Sequence, residues 1–229
     1  MRTLGLIPAR GGSRRAPRKN LAQLGGMTLV RRALLTAIDS GALDAIALSS
    51  DDPEILAEAE GLDVIALHRP GELATDRALA FDVARHALRA VEDAEHEPFD
   101  ALALVQCTTP FTAPADISGA VEPLNASGAG SVVTVARIDD TVHPLKLKLL
   151  EGNRLTPYLR DDALTPSHDL PELWSRNGAV YASRRAVLEA GILVAADALG
   201  YPMPPERSLD VNTPLDLAFA RFLLEHRVF

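Results

Sequence analysis

The densest positive charge in this acidic chain falls in one short run that also holds adjacent glycines. From Ile7 to Leu21 the order is Ile7-Pro8-Ala9-Arg10-Gly11-Gly12-Ser13-Arg14-Arg15-Ala16-Pro17-Arg18-Lys19-Asn20-Leu21. With Arg2, six cations and no carboxylate fall in the first twenty residues, against a net charge of −8 for all 229. Glycine lets a backbone approach a ligand closely, and the amides so exposed, with the Ser13 hydroxyl, can donate to phosphate oxygens. Arg10, Arg14 and Lys19 would neutralise charge that amides alone do not hold. The chemistry this favours is the grip of a small polyanion. The spacing is neither the Gly-Lys-Ser/Thr ending of an ATPase phosphate loop nor the Gly-x-Gly-x-x-Gly of a dinucleotide binder.

Such a loop needs a rigid frame, and the hydrophobic pattern supplies one. Short apolar runs alternate with amphipathic segments, the signature of an α/β fold with a parallel sheet covered by helices on both faces. Strands are expected at 3–8, 45–49, 63–67, 101–106 and 131–136. Helices are expected at 28–40, 53–60, 80–95, 115–124, 184–190 and 214–227. In the first helix Leu29, Ala33, Ala37 and Ile38 recur at helical spacing, and Gly41 marks its stop. Residues 137–176 read differently, with Pro144, Pro157, Pro166 and Pro171 and charges of both signs. Alternation within 145–150 and 155–159 predicts a hairpin around Glu151-Gly152-Asn153. We therefore read 1–229 as a single domain from which 137–176 protrudes as a β-rich lobe of the kind that pairs subunits.

Bulk properties narrow the classes. A chain of 24.5 kDa is long enough for one α/β core and too short for two full domains. No run approaches the roughly 18 to 20 apolar residues of a membrane span, and the first residues lack a secretory pattern. The lone Cys107 excludes an intrachain disulfide, so a cytoplasmic protein is expected. The acidic balance opposes broad contact with nucleic acid or an anionic membrane, both of which need phosphates neutralised by Lys and Arg. His68, His86, His96, His143 and His226 show no metal-ligand spacing, so zinc is not expected.

The fifteen-residue loop resembles the signature of the CMP-sialic acid synthetase (acylneuraminate cytidylyltransferase) family, where Pro-Ala-Arg-Gly-Gly-Ser, several basic residues and Lys-Asn precede the first helix. Further segments follow in the family's order: Ser49-Ser50-Asp51-Asp52, His68-Arg69-Pro70 with Leu73-Ala74-Thr75-Asp76, Gln106-Cys107-Thr108-Thr109-Pro110, and Asn177-Gly178-Ala179-Val180-Tyr181. The resemblance implies a three-layer Rossmann-like nucleotidyltransferase fold, mostly parallel, with a small dimerisation lobe and a homodimer. It implies transfer of CMP from CTP to an acidic acceptor, a nonulosonic acid such as sialic, legionaminic or pseudaminic acid, with release of pyrophosphate. By the same resemblance Ala9, Arg10, Gly11, Gly12, Ser13, Arg14 and Lys19 hold the CTP phosphates, Asn20 reads the cytosine, and Arg69 contacts the nucleotide. Gln106, Asn177 and Tyr181 would face the acceptor, and Arg10, Lys19 and Asp210 would carry the catalysis.

Displacement at an α-phosphorus asks the protein for positioning and charge neutralisation, commonly with Mg²⁺ on one or two carboxylates. Ser208-Leu209-Asp210-Val211-Asn212-Thr213-Pro214-Leu215-Asp216-Leu217 resembles the family's Asp-Ile-Asp-Thr-Pro-x-Asp-Leu. Alternation in an extended strand would point positions 210 and 212 to one face. Asp210 is then the principal Mg²⁺ ligand, and Asn212 a second one in place of a carboxylate. Asp216, in a first helical turn, is assigned to the helix dipole. The chain departs from the family on the acceptor side. Ser167-His168-Asp169-Leu170-Pro171 stands where an Arg-Gln pair precedes Asp-Leu-Pro, Thr112 stands for an arginine, and Cys107 stands for a proline. Lys146 and His168 are the candidates to grip the acceptor's carboxylate or phosphonate. Two alternatives follow: a cytidylyltransferase for a phosphonate or other small acid, and a nucleotide-binding module whose catalysis has decayed, suggested by Asn212.

Overall fold

The computed structural model describes residues 1–12, 17–159, 166–226 and 228. In chain order its elements are β1 (Thr3–Pro8), β2 (Gln23–Leu24), β3 (Met27–Thr28), α1 (Leu29–Asp39), β4 (Ala45–Ser50), α2 (Pro53–Ala57), β5 (Ile65–His68), α3 (Ala80–Glu95), β6 (Ala101–Val105), α4 (Pro114–Ala126), β7 (Ser131–Arg137), β8 (Lys148–Glu151), β9 (Arg154–Pro157), β10 (Trp174–Arg184), α5 (Arg185–Glu189), β11 (Leu199–Pro202) and α6 (Pro214–Glu225). A seven-stranded sheet has the order β11, β7, β10, β6, β1, β4, β5. β1 pairs parallel with β4 and β6, β4 with β5, and β7 with β11. Only β10 is reversed, antiparallel to both β6 and β7.

The central strands are apolar on both faces because both faces are covered. Ala101, Ala103 and Val105 of β6 join Ile7 and Leu48 in a core with α1 and α4, including Val30, Leu34, Ile117 and Leu124. Leu102 and Leu104 turn the other way, with Leu4, Leu6 and the α3 residues Val83, Ala84, Ala87, Leu88 and Val91. Each large side chain so buried contributes about 1.5–3 kcal/mol, so the expected three-layer arrangement follows from the alternation within each strand. A third cluster, of Leu24, Leu29, Phe111, Val211, Ala220 and Leu223, ties α6 to the start of α1. Among the described residues no helix is long and apolar enough to cross a membrane.

Several expected boundaries move, each for a local reason. The strand expected at 63–67 runs from Ile65 to His68, because pairing with Ala47 to Ser50 sets its ends. Helix α2 stops at Ala57 rather than 60, followed by turns and Gly61 at φ 74°. The hairpin β2–β3 was not anticipated; Gly25 and Gly26 both have positive φ, as a tight two-residue hairpin turn needs. Strand β11 is also additional, an edge strand that tolerates Pro202.

The expected lobe is narrower than 137–176, since Arg137 and Trp174 are paired within the main sheet. Inside it the expected hairpin forms, with Glu151 opposite Arg154 and Lys148 opposite Pro157. Its residues Leu150 and Leu155 are 68% and 65% exposed, and Leu149, Tyr158 and Leu159 are exposed beside them.

The reversed strand β10 is the largest departure from the sequence reading, because Asn177-Gly178 resembles a turn and interrupts its alternation. The chain absorbs the dipeptide as a bulge. Arg176 lies opposite Val135 and Tyr181 opposite Val133, so five steps along β10 match two along β7. Gly178 takes φ 82° there, a conformation that costs an L side chain about 1–2 kcal/mol. A Cβ at Gly178 would meet no atom within 4 Å, which leaves that conformational strain as the whole cost. Gly178→Ala should therefore lower the unfolding free energy by about 1–2 kcal/mol in urea titrations, and an unchanged midpoint would refute the bulge.

Candidate active site

Where β1, β4 and β6 end, the chain leaves the sheet in loops, and a cleft of about 600 Å³ opens there. Arg10, Lys19, Asn20, Arg69, Asp76, Gln106 and Thr108 line it among polar residues, with Leu73, Val83 and Leu104 among apolar ones. The crevice outside strand carboxyl ends is the usual ligand position in open α/β sheets. Of the residues singled out in the sequence, Arg10, Lys19, Asn20, Arg69 and Gln106 thus share one cavity.

The described residues of the loop after β1 are held by specific contacts. Ala9 is fully buried and its N–H donates to the Ser49 carbonyl at 3.0 Å, so it can offer a ligand only backbone. Gly11 N–H donates to Asp51 Oδ1 at 3.0 Å. A Cβ on Gly11 would stand 2.7 Å from Asp52 Oδ2, so only glycine fits; Gly12 faces open space. Asp52 in turn caps α2 by accepting from Glu54 N–H at 2.9 Å. Ser13 and Arg14 lie outside the described residues. Asn20 closes the loop: its Nδ2 donates to the Arg10 carbonyl at 2.8 Å, and its Oδ1 accepts from the Cys107 thiol at 3.2 Å.

The three cations are held in different ways. Arg10 pairs with Asp76 at 2.6 Å, both side chains about one-third exposed. Arg69 is 4% exposed and donates twice to Ser49, from Nε to Oγ at 3.1 Å and from Nη2 to the carbonyl at 2.6 Å. Burial lowers its pKa most; nearby Asp51 opposes the shift and Arg10 adds to it. A guanidinium stays protonated regardless, so a buried positive charge lies beside the cleft. Lys19 Nζ donates to Asn212 Oδ1 at 3.4 Å, which links the amino-terminal loop to the segment before α6.

Residues 208–213 form no strand, contrary to the alternation argument, yet positions 210 and 212 still meet. Asn212 Nδ2 donates to Asp210 Oδ2 at 2.6 Å, while Asp210 Oδ1 is buried without a hydrogen-bond partner. Three contacts replace strand pairing. Val211 N–H donates to the Thr108 carbonyl at 2.7 Å. Asp216 accepts from the N–H groups of Asn212 and Thr213 at 2.9 and 2.7 Å, and Thr213 completes a capping box. The Asn212 N–H, followed by the Thr213 hydroxyl, holds the Asp216 pKa below the usual carboxylate value. Finally, Arg207 donates twice to the fully buried Asp116 at the start of α4, from Nη2 at 2.7 Å and Nε at 3.1 Å.

The residues expected on the acceptor side are more dispersed. Gln106 continues β6, its N–H donating to the Ala179 carbonyl at 3.0 Å. Tyr181 lies opposite Leu104, half-buried, and its pKa is raised chiefly by burial, with Arg176 opposing and Asp210 adding. Asn177 uses its whole amide inside the fold. Its Oδ1 accepts from Thr134 Oγ1 and Ala179 N, and its Nδ2 donates to Ser208 Oγ and Met203 Sδ. His168 is exposed beside Asp169, and Lys146 sits in a short helical turn at Pro144–Lys146 in the lobe. Neither is among the cleft-lining residues. Thr112 is buried, its hydroxyl donating to the Thr109 carbonyl. Cys107 is buried and its thiol pushed up to about 12, mainly by burial, so it is a protonated filler rather than a nucleophile.

Sequence reasoning quoted Asp51 and Asp76 within matching segments but gave them no role, and it did not single out the Arg207–Asp116 pair. The Asp52-Pro53 helix start could have marked the first of these; nothing local marks the others, which are 66 or more residues from their partners in the chain.

The family model described as cytidylyltransferase matches residues 4–195. The CMP-N,N'-diacetyllegionaminic acid synthase of Legionella pneumophila is 30% identical, over 98% of this chain and 97% of that protein. The pseudaminic acid cytidylyltransferase of Campylobacter jejuni is 27% identical, over 97% and 96%. The N-acylneuraminate cytidylyltransferase A of Danio rerio is 29% identical over 92% of this chain, which spans only 48% of that longer protein. Among solved structures, CMP:2-keto-3-deoxy-manno-octonic acid synthetase complexed with CTP matches with a TM-score of 0.71 at 18% identity, covering 99% of this chain and all of the other. A 4-diphosphocytidyl-2C-methyl-D-erythritol synthase matches at 0.69 and 14%, covering 97% and 98%, so the fold is shared. With the family model covering most of its length, and with a relative 30% identical from end to end, this chain belongs to the cytidylyltransferase family.

Proposed function

We propose that this protein transfers CMP from CTP to a hydroxyl of an acidic sugar, a nonulosonic acid of the sialic, legionaminic or pseudaminic kind, and releases pyrophosphate. One observation carries the reading: Arg10, Lys19 and Arg69 share a cleft, and Lys19 reaches through Asn212 to an aspartate whose second oxygen is buried without a partner. Clustered cations suit a triphosphate. The orphaned Asp210 Oδ1 suits a hard cation, and the neighbouring Asn212 amide can add an oxygen. Among the described residues no group of three or more His, Cys, Asp or Glu is placed to hold a metal. A sparse donor set of this kind fits Mg²⁺, which keeps waters and takes ligands from phosphates. When bound, Mg²⁺ would neutralise triphosphate charge and polarise the reacting phosphate.

In this reaction the acceptor hydroxyl oxygen bonds to the α-phosphorus as the bridging oxygen to the β-phosphate departs, and the hydroxyl proton passes to solvent. Arg10 and Lys19 hold the charge gathering on pyrophosphate. The N–H of Gly12, with Ser13 and Arg14, takes phosphate oxygens, while Ala9 and Gly11, whose N–H groups are held by Ser49 and Asp51, shape the loop behind them. Asn20 keeps one N–H and one lone pair for cytosine, and Arg69 supports the nucleotide from the cleft wall. Gln106 and Tyr181 face the acceptor, with Lys146 and His168 brought in from the lobe. We place the enzyme in the cytoplasm, and as a homodimer whose contact includes the exposed leucines of the β8–β9 hairpin. A second reading keeps the reaction and changes the acceptor to a phosphonate or other small acid, because Thr112 is buried where the family carries an arginine.

With CTP, Mg²⁺ and a panel of nonulosonic acids, the protein should release pyrophosphate, and Arg10→Ala should slow this about 100-fold. Turnover on a phosphonate with none on any nonulosonic acid would replace the acceptor; CTP binding with no turnover on either would favour the decayed module. Asn212→Asp places a second carboxylate where an amide now contacts Asp210 at 2.6 Å. The two charges repel unless a cation lies between them, so Mg²⁺ affinity in a rate titration should rise about 10-fold; an unchanged affinity would remove Asn212 from the metal site. In analytical ultracentrifugation the protein should sediment as a dimer and Leu150→Glu/Leu155→Glu as a monomer, whereas a monomeric parent protein at micromolar concentration would dismiss the dimer.

A further inference from the structure

An acidic acceptor needs a cation for its carboxylate, and the positions where the family places arginines hold a buried threonine and an exposed histidine beside an aspartate. The bulge in β10 presents another arginine to the same side of the sheet as the cleft. Partners across an antiparallel pair share a face, and residues two apart on one strand share a face. Arg176 is opposite Val135, Tyr181 is opposite Val133, and Tyr181 is also opposite Leu104, which lines the cleft. Arg176, Tyr181, Leu104 and Gln106 therefore belong to one face. Without the bulge, residues 176 and 181, five apart, would have pointed to opposite faces. The reversed direction of β10 also matters. Its residues before Ala179 run past the last residue of β6, whose end is fixed by Gln106 N–H on the Ala179 carbonyl. Arg176 accordingly stands beyond the carboxyl end of β6, still paired with β7, on the cleft side of Tyr181. Arg176 and Asp210 both lie close enough to the Tyr181 hydroxyl to bias its charge, and none of the three is itself among the cleft-lining residues. Arg176 is exposed, and no described residue forms an ion pair with it, whereas Arg137 on the neighbouring strand is paired with Glu172 and Asp140.

We propose that Arg176 is the cation that receives the carboxylate of the acceptor sugar acid. This rests on the acidic-acceptor reading above and supplies the positive charge missing at Thr112 and His168. A guanidinium can grip a carboxylate with two parallel N–H donors, which fixes the acid's orientation as well as its charge. The acceptor hydroxyl is thereby turned toward the side of the cleft that Arg10 and Lys19 occupy.

The test is calorimetry on protein saturated with α,β-methylene-CTP and Mg²⁺, titrated with nonulosonic acids and with their methyl esters. Arg176→Ala should weaken acid binding roughly 10- to 100-fold, the range for a hydrogen-bonded charge pair. Arg176→Lys should recover part of that loss, and affinity for the CTP analogue should stay within about twofold of the parent value, as expected for a residue acting on the acid alone. Esterification should weaken binding to the parent protein and make little difference to Arg176→Ala. Equal acid affinity in the parent protein and Arg176→Ala would overturn this assignment while leaving the enzyme reading intact. If the analogue binds but no acid does, the acidic-sugar reading itself falls, and Arg176's role with it.

Discussion

Mutual repulsion among Arg10, Lys19 and Arg69 is the constraint around which the cleft is organised. Two like charges about 6 Å apart at an effective dielectric near 20 repel by roughly 3 kcal/mol, so three in one cavity need opposing contacts. Each has its own solution. Arg10 pairs with Asp76, Lys19 reaches the Asn212–Asp210 pair, and Arg69 is sunk against Ser49 with Asp51 nearby. Asp51 also receives the Gly11 N–H, so one carboxylate stabilises both the loop's backbone and a buried cation. A bound polyanion would relieve the same repulsion, and a site held under this constraint is biased toward such a ligand.

Rigidity comes from elsewhere. The loop after β1 lies on a sheet whose strands are buried on both faces, and the facing segment with Asp210 is suspended from three anchors. These are the Thr108 carbonyl, the capping box of α6, and the Arg207–Asp116 pair. An unpaired chain segment with so many fixed points can hold a carboxylate in place without belonging to a strand. The Asn177 amide joins this scaffold through Ser208, so the bulge of β10 and the segment with Asp210 are parts of one hydrogen-bonded network. Substitutions in the β10 bulge can therefore reach the Asp210 segment without direct contact.

The departures from the resembled sequence pattern gather at the residues proposed to face the acceptor. The loop, Arg69 and Asp210 match the pattern the sequence resembles, whereas Thr112 and His168 stand at two of its arginine positions. On the proposed reading, triphosphate recognition would rest on the loop and strand ends of the amino-terminal half, and acceptor recognition on β10 and the lobe.

The sequence alone determined the elements that depend on local periodicity and the residues that depend on a contiguous motif. Strand β1 and helix α3 lie within the bounds read from the pattern, and the loop from Ala9 to Asn20 could be read as an anion site because its glycines and cations are neighbours in the chain. Only the tertiary structure decided the rest. The course of β10 was hidden because Asn177-Gly178 breaks its alternation, and whether such a dipeptide turns or bulges depends on the partner strand. Likewise the pairing of Arg10 with Asp76 and of Arg207 with Asp116, and the meeting of Lys19 with Asn212, join residues 66, 91 and 193 positions apart. No local propensity encodes such contacts, since they exist only once the sheet has brought distant loops to one edge.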